Sequence, residues 1–248
     1  MKTSLPLIAF SLFFSYLPQS QAAEYGHIHL AAPDVSAAVS WYAEVFGGTA
    51  LADRVNFDGI TVVFSERDPG PGSVGSGVDH ISFSMPDVPG KLAQAVAAGG
   101  KSLGDTRSFR DMTIGFVEDP WGTKIELIDD PQLRGTHHLH LSTPDVEATL
   151  NWYQQMMGGE IKQFAGAIPG VDYSGRIWVL ASRAQAEIAP TQGRSLDHLG
   201  WDVTDIDAFV ADLNARGVKI TLEPRDFRDI RIAFVEGPDG VRIELVQR

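Results

Sequence analysis

The stretch HIHLAAPDVSAAVSWYAEVFGG, residues 27–48, decides how this chain is organised, because the chain uses it twice. It returns as HLHLSTPDVEATLNWYQQMMGG at residues 138–159, with the paired histidines, the Pro-Asp turn, the Trp-Tyr pair and the Gly-Gly end all 111 positions further along. A constant offset over such a length indicates an internal repeat. The chain therefore carries the same structural unit more than once.

A second stretch in each half also repeats, at a different offset. The motifs that return 118 positions later are Asp79-His80, Phe109-Arg110-Asp111, Phe116-Val117-Glu118 and Ile125-Glu126-Leu127. The change of offset from 111 to 118 places a small insertion between the two stretches of the second half. The two kinds of stretch also resemble each other, so the sequence contains four copies of one module.

Each copy has the pattern of a strand, a helix and three further strands. A short alternating strand that contains His comes first, and a turn with an aspartate suited to cap a helix follows it, at Asp34, Asp87, Asp145 and Asp205. Four βαβββ modules predict an α+β protein of two curved mixed sheets with the helices outside. We expect two domains, at 24–130 and 136–248, joined by a short polar segment.

The first 22 residues have the pattern of an export signal. A basic start precedes an apolar run from Leu5 to Leu17, and small residues follow, with cleavage expected after Ala22 or Ala23. A membrane anchor is the weaker alternative, because a spanning helix needs about 20 apolar residues. We therefore expect a periplasmic or secreted protein that has no membrane contact once the signal is removed.

Composition narrows the classes of function. The net charge of -12 disfavours nucleic acid as a partner, because an acidic surface repels phosphates. The chain has no cysteine, which excludes thiol catalysis and zinc-thiolate sites.

Histidine and glutamate recur at places that suit a metal site. One histidine stands in the first strand of each module, and one glutamate lies between Ile and Leu in the last strand of each half; they are His27, His80, His138, His198, Glu126 and Glu244. An unpaired carboxylate buried among apolar residues would cost several kcal/mol. Two imidazoles and a carboxylate suit Zn, Ni, Mn, Co or Fe, with positions left open for substrate. The alternative is that these are hydrogen-bonded strand histidines and an ion-paired glutamate.

These motifs, with the run from Phe116 to Leu127, resemble the vicinal oxygen chelate superfamily of glyoxalases, bleomycin-resistance proteins and dioxygenases. The resemblance covers about residues 26–246 and implies one or two divalent metal ions. Its ligands come from the first strands of two modules and the last strand of the second. By resemblance the two ligand sets would be those within each half, namely His27, His80 and Glu126, and His138, His198 and Glu244. If modules pair across the halves, the same residues are shared differently.

Further candidates follow from the same resemblance. Glyoxalase I has a fourth, carboxylate ligand, for which Glu66 is the candidate, and alignment of the halves puts Ser182 in its place. His29 and His140 share a strand face with the first ligand, as a base, a support for the ligand or a cavity wall. Four arginines flank the repeated Phe-Arg-Asp motif and would clamp an anion or pair with surface acids; they are Arg107, Arg110, Arg225 and Arg228.

The resemblance favours an isomerase or lyase that acts on a small oxygenated compound. Ring-cleaving dioxygenases of the superfamily use a further His and Tyr in the second domain, yet this chain has no His between Gly159 and Ser195 and no Tyr after Tyr173. An exported protein would also not encounter the glutathione adducts on which glyoxalase I acts in the cytosol. The alternative is a metal-free protein that sequesters a small molecule. We expect either a monomer, in which the tandem halves supply the paired modules, or a homodimer.

Overall fold

The computed structural model describes residues 23–248, and the export signal predicted at 1–22 lies outside them. Across 23–248, no helix combines the length and the apolar character that crossing a membrane requires.

The described chain contains four modules, numbered in chain order. Module 1 consists of β1 (Glu24–Ala32), α1 (Val35–Phe46), β2 (Thr49–Ala50), β3 (Arg54–Phe57) and β4 (Ile60–Glu66). Module 2 consists of β5 (Val78–Ser84), α2 (Val88–Ala97), β6 (Lys101–Ser102), β7 (Arg107–Phe109), β8 (Met112–Glu118) and β9 (Lys124–Ile128). Module 3 consists of β10 (Gly135–Thr143), α3 (Val146–Met157), β11 (Glu160–Phe164), β12 (Ile168–Tyr173) and β13 (Ile177–Arg183). Module 4 consists of β14 (Leu196–Asp202), α4 (Ile206–Ala215), β15 (Lys219–Phe227), β16 (Ile230–Glu236), a 3-10 turn (Pro238–Gly240) and β17 (Arg242–Gln247).

All four helices begin as the sequence predicts. The capping aspartate accepts a hydrogen bond from the backbone N–H three residues later, as with Asp34 and Ala37 at 2.9 Å and Asp145 and Ala148 at 3.0 Å. Asp87 and Asp205 cap the other two helices in the same way. This bond satisfies a backbone donor that has no partner inside the helix.

The strands form two mixed sheets with the helices outside, which confirms the predicted fold class. The eight-stranded sheet has the order β15-β16-β17-β14-β1-β4-β3-β2, and the nine-stranded sheet has the order β11-β12-β13-β10-β5-β9-β8-β6 with β7 beside β8. In each sheet the first strands of two modules pair antiparallel at the centre, β1 with β14 and β10 with β5.

The modules therefore pair across the halves of the sequence. Module 1 shares a sheet with module 4, and module 2 shares a sheet with module 3. Neither half of the repeat builds a sheet by itself, so the ligand sets predicted within each half are wrong. The domain limits at 24–130 and 136–248 stay a prediction about folding units.

Strand alternation separates the core from the site-bearing face of each sheet. In β1, Ile28 and Leu30 pack into the main hydrophobic core beneath the helices, whereas His27 and His29 point to the other face. Aromatic side chains fill that core, including Phe46 of α1, whose ring stacks on the ring of Phe83 with centroids 4.4 Å apart. The packing holds the central strands rigidly, and with them the histidines.

The small insertion of the second half lies mainly in the hairpin β11–β12. His27 pairs with Thr61, 34 residues later, whereas the equivalent His138 pairs with Trp178, 40 residues later. Six additional residues therefore stand between the first and last strands of module 3, where β11 and β12 are longer than β2 and β3. The extended hairpin lies in the nine-stranded sheet, and its counterpart in the other sheet is the shorter hairpin β2–β3.

Candidate metal centres

Four potential ligands meet in the eight-stranded sheet, and we call this cluster site A. It consists of His27, His29, His198 and Glu244, whose ligand atoms all lie within 4.8 Å of one another. The Nε2 atoms of His27 and His198 lie 2.9 Å and 3.2 Å from the same carboxylate oxygen of Glu244. Two strands, β1 and β14, thus aim imidazole nitrogens at one half-buried carboxylate on a third strand, β17.

The nine-stranded sheet holds the corresponding cluster, site B. His80, His138 and His140 have ligand atoms within 4.8 Å of one another. Glu126 joins them, with Oε2 at 3.2 Å from Nε2 of His80 and 3.8 Å from Nε2 of His138. Every metal ligand that the sequence predicted therefore lies in one of two sites, but each site draws on both halves of the chain.

An aspartate beside one histidine fixes its tautomer in each site. Nδ1 of His198 lies 2.6 Å from Asp197, and Nδ1 of His80 lies 2.7 Å from Asp79. An ionised carboxylate accepts hydrogen bonds only, so each aspartate holds a proton on Nδ1, and in the neutral ring it is Nε2 that has the lone pair facing the site. Burial alone would raise the pKa of Asp79, but hydrogen bonds with His80 and Lys124 hold it below its ordinary value.

Site B contains an additional histidine behind its ligands. His137 is fully buried, and its Nε2 lies 3.2 Å from Asp130 while its Nδ1 lies 2.7 Å from Nδ1 of His138. The carboxylate of Asp130 requires the proton on Nε2 of His137, which makes Nδ1 of His137 an acceptor. Nδ1 of His138 must then donate, and the lone pair of its Nε2 faces Glu126. The chain of three residues thus holds the ring of His138 with its Nε2 toward Glu126.

Site A achieves its geometry differently. Glycine occupies the position of His137, at Gly26, and the carboxylate of Asp202 lies where a side chain of residue 26 would start. The ring of His27 lies directly over Gly200, and a Cβ at residue 200 would overlap that ring. Ser82 holds the place of Gly200 in site B, opposite His138. In site A, close approach of the backbone replaces the hydrogen-bonded support of site B.

His29 and His140 belong to the clusters, next to the ligands that the sequence predicted. His29 Nε2 lies 2.7 Å from Ser65 Oγ, and the ring of His140 stacks on that of His80 with centroids 4.7 Å apart. Burial, together with the charge of His80, lowers the pKa of His140 to about 3. Burial likewise lowers the pKa of His29. Both rings are therefore neutral at physiological pH and keep a nitrogen able to accept a proton.

The residues present fit a divalent metal ion. Nε2 of His80 and Nε2 of His138 are buried and make no hydrogen bond, although each lies within 4 Å of Glu126. Buried polar atoms normally have partners, and two such nitrogens converging on a carboxylate are the donor set that Zn, Ni, Mn, Co or Fe accepts. His27, His198 and Glu244 offer the same donor set in site A.

Glu66 does not belong to the metal cluster. β1 and β4 are parallel, with His29 opposite Val63 and Ala32 opposite Glu66. Alternation puts Val63 on the face of His27 and His29, and Glu66 on the other face at the end of its strand. Glu66 is exposed and lines only the rim of the site A cavity.

The place of a fourth ligand is apolar in both sites. Glu244 lies on the last strand of module 4, opposite the residue two positions after His198. The corresponding position on the last strand is occupied by Val63 in module 1 and by Leu180 in module 3. Each site therefore has two histidines and one glutamate as its core set, with a third histidine beside them.

The registers also correct the alignment of the halves. Glu66 and Arg183 pair with equivalent positions of β1 and β10, Ala32 and Thr143. Arg183, and not Ser182, is therefore the counterpart of Glu66. The two sites differ here in the sign of charge at the rim.

The four predicted arginines separate into different places. Arg107 lines the cavity of site B, and Arg228 lines that of site A. Arg110 borders another cavity, next to Asp130, and Arg225 is in the lining of neither site. Arg110 and Arg228 have positive φ values of 57° and 54° because they form the tips of the β7–β8 and β15–β16 hairpins. These two arginines therefore recur in the sequence because each occupies the turn of an equivalent hairpin.

Each site opens into a cavity. The cavity of site B measures about 560 Å³ and that of site A about 420 Å³.

The sequence did not reveal the roles of Asp79, Asp197, Asp130 and His137. The Asp-His pair recurs at the constant offset of 118 residues, and this recurrence could have revealed Asp79 and Asp197. His137 has no histidine at the equivalent position of the first half.

Comparison with known proteins identifies the class. A sequence model of the Glyoxalase/Bleomycin resistance protein/Dioxygenase superfamily matches residues 24–127 and 135–245. The chain therefore belongs to the Glyoxalase/Bleomycin resistance protein/Dioxygenase superfamily.

Solved structures share the same architecture. Glyoxalase I from Zea mays is similar with a TM-score of 0.73 at 18% identity, over 92% of this chain and 93% of that chain. A putative dioxygenase from Bacillus subtilis subsp. subtilis str. 168 is similar with a TM-score of 0.66 at 16% identity, over 92% of this chain and 86% of that one. At these identities the likeness concerns the fold alone.

Proposed function

We propose that this protein is an exported enzyme that depends on a divalent metal and acts as an isomerase or lyase on a small oxygenated compound with carbonyl or carboxylate groups. One observation carries the proposal. In each site, the Nε2 atoms of two buried imidazoles lie within 3.8 Å of one glutamate carboxylate oxygen.

The ligands we assign are His27, His198 and Glu244 in site A, and His80, His138 and Glu126 in site B. A bound divalent ion would polarise a substrate carbonyl and stabilise negative charge on its oxygen. Three protein ligands leave positions open for a substrate that presents two neighbouring oxygens.

The proton-transfer group belongs to the chain itself. His29 and His140 lie in the clusters, are neutral, and keep a nitrogen able to accept a proton from a carbon next to a carbonyl. Their position on the same strand face as the ligand two residues earlier holds them beside the reacting group. Of the two, His140 is the less constrained, because His29 is hydrogen-bonded to Ser65.

The test begins with elemental analysis of protein recovered from a periplasmic fraction and then equilibrated with Zn²⁺, Ni²⁺, Mn²⁺, Co²⁺ or Fe²⁺. We expect up to two ions per chain, with one lost in Glu126→Gln and one in Glu244→Gln. Glu66→Gln is the matched control, because that carboxylate lies outside the cluster, and it should bind as the parent does.

Proton abstraction is tested without knowledge of the natural substrate. In D2O, proton NMR follows loss of the C–H signal next to the carbonyl of hydroxyacetone and of phenylpyruvate. We expect exchange above the buffer rate, abolished by a chelator and restored by metal. A protein that takes up none of the five metals would be a metal-free sequestering protein instead, and recovery only from the cytosol would disprove the proposed export.

A further inference from the structure

Site B faces an apolar wall that is separate from the main core. The wall is a cluster of buried side chains that includes Ile114, Phe164 and Leu180, with Phe109, Phe116 and Ile168 packed against it. These side chains line the cavity of about 560 Å³ on the side away from the helices. Apolar surface that borders a cavity of this size suits the body of a small organic molecule.

The inserted hairpin completes this wall in one sheet only. Phe164 at the end of β11 stacks on Phe109, with ring centroids 6.2 Å apart and planes 19° apart. The residue equivalent to Phe109 in the other sheet is Phe227, which is 44% exposed and stacks on no aromatic ring within residues 23–248. The additional residues of module 3 therefore contribute Phe164 to the wall of site B.

Positive charge stands over the same wall. Nζ of Lys124 lies 4.9 Å and Cζ of Arg107 lies 5.5 Å from the ring centroid of Phe116, which itself contacts His80 edge-on. Lys124 is paired with Asp79 at 2.6 Å.

Other charged side chains in the lining of the site B cavity have no ion-pair partner among the described residues. Arg107 and Arg183 line the cavity and take part in no ion pair within residues 23–248. Glu187 is an acid of the same lining and is likewise unpaired among the described residues. In a chain with a net charge of -12, two unpaired guanidinium groups around one cavity mark a place that favours an anion.

We propose that site B binds monocarboxylates with an apolar, ring-sized body, and that Arg107, with Arg183 as the second cation, recognises the carboxylate while the Phe109–Phe164 wall holds the ring. This names a substrate class for the enzyme proposed above and rests on that function for its catalytic meaning. The binding itself requires only the wall and the guanidinium groups. Site A has a smaller apolar cluster of Ile232, Phe234 and Val246, without a ring in the place of Phe164 among the described residues, so we expect it to hold the ring less well.

Fluorine NMR of 4-fluorophenylacetate and its uncharged amide, 4-fluorophenylacetamide, tests the proposal on the full chain. We expect the acid to bind roughly 10-fold more tightly than the amide, as a charge-assisted hydrogen bond predicts. Arg107→Gln and Arg183→Gln should weaken binding of the acid and leave that of the amide unchanged. Arg225→Gln is the matched control at the equivalent place of the other sheet and should change neither affinity. Phe164→Ala should weaken both ligands.

Equal affinity for acid and amide, or equal effects of Arg107→Gln and Arg225→Gln, would overturn the proposal. Each titration is run on chelator-treated and on Zn²⁺-equilibrated protein, which separates the two proposals. Charge-selective binding in a protein that takes up no metal would support this ligand class while removing the enzyme. Metal uptake with proton exchange but no charge-selective binding would overturn the ligand class alone.

Discussion

Sites A and B are built from equivalent strands, yet they differ in how their histidines are held and in what surrounds them. In site A the ring of His27 rests on a glycine, and Phe227 at the cavity is 44% exposed. In site B a buried His137 connects His138 to Asp130, and Phe164 of the inserted hairpin stacks on Phe109 in the cavity wall. Duplication has kept the ligands and changed their environment, which indicates that the two sites have separate tasks.

The sharpest way to separate the sites is Gly200→Ala. The new methyl group would overlap the ring of His27 and move it away from Glu244, so we expect site A to lose metal affinity by at least about 100-fold. Site B should keep its ion, as elemental analysis after equilibration with limiting Zn²⁺ would show. Ser82→Ala, the equivalent change in site B, adds no atom and should leave both sites loaded. Loss of metal in both variants would contradict the difference drawn here.

The contribution of the wall is tested by removing one ring beside each site. Phe164→Ala should lower the free energy of unfolding by about 3 kcal/mol, because the ring is buried and stacked. Phe227→Ala should cost less than about 1 kcal/mol, since nearly half of that side chain is already exposed. Urea unfolding monitored by circular dichroism compares the two. Equal losses would mean that Phe227 is packed as well as Phe164, which would contradict the difference between the two walls.

The support of His138 is tested by His137→Gln. The glutamine amide can still donate to Asp130 but cannot reach Nδ1 of His138, so the affinity of site B for Zn²⁺ should fall roughly 10- to 100-fold. Competition with a chromogenic chelator measures both sites in one protein, and the unchanged affinity of site A is the internal control. An unchanged affinity at site B would show that His137 only fills space.

The smallest expected difference concerns the carboxyl group that joins helix α1 to module 2. Tyr42 donates to Asp119 at 2.7 Å, and burial raises the pKa of Asp119 from 3.8 to about 6. The equivalent pair in the second half is Tyr153 and Gly237, and the Tyr153 hydroxyl has no hydrogen-bond partner among the described residues. Only the first half therefore has this titrating contact.

The sign of its effect follows from the raised pKa. Stabilisation by protonated Asp119 is fully present below pH 3.8 and is lost as the pH rises through about 6. Asp119→Asn does not titrate there, so between pH 4.5 and 7.5 its stability should improve relative to the parent by about 2 kcal/mol. Urea unfolding across that range measures the change, with Glu66→Gln as a surface control that should run parallel to the parent.

The repeat allowed much of the fold to be predicted from local sequence. The four aspartate caps are confirmed because capping depends on the aspartate and a backbone N–H three residues later, which are both local. The four modules and two mixed sheets are confirmed for the same reason, since strand alternation and turn residues specify each module, although module 2 divides its second strand into β6 and β7. The six histidines and glutamates were recognised from their recurrence, and the structure places each of them in one of two clusters. Their role as metal ligands stays a prediction.

What the sequence determined by itself is which residues form each strand and helix and which side chains of a strand share a face, because those depend on neighbours in the chain. Tertiary structure alone decided which modules share a sheet. The backbone hydrogen bonds that pair β1 with β14 do not depend on side-chain identity, so local sequence is as compatible with other pairings as with this one. It also decided that Val63, and not Glu66, faces the cluster, because a shift of one residue in register reverses every side chain. His137 became visible for the same reason: its partners, Asp130 and His138, acquire their geometry only when the strands are paired.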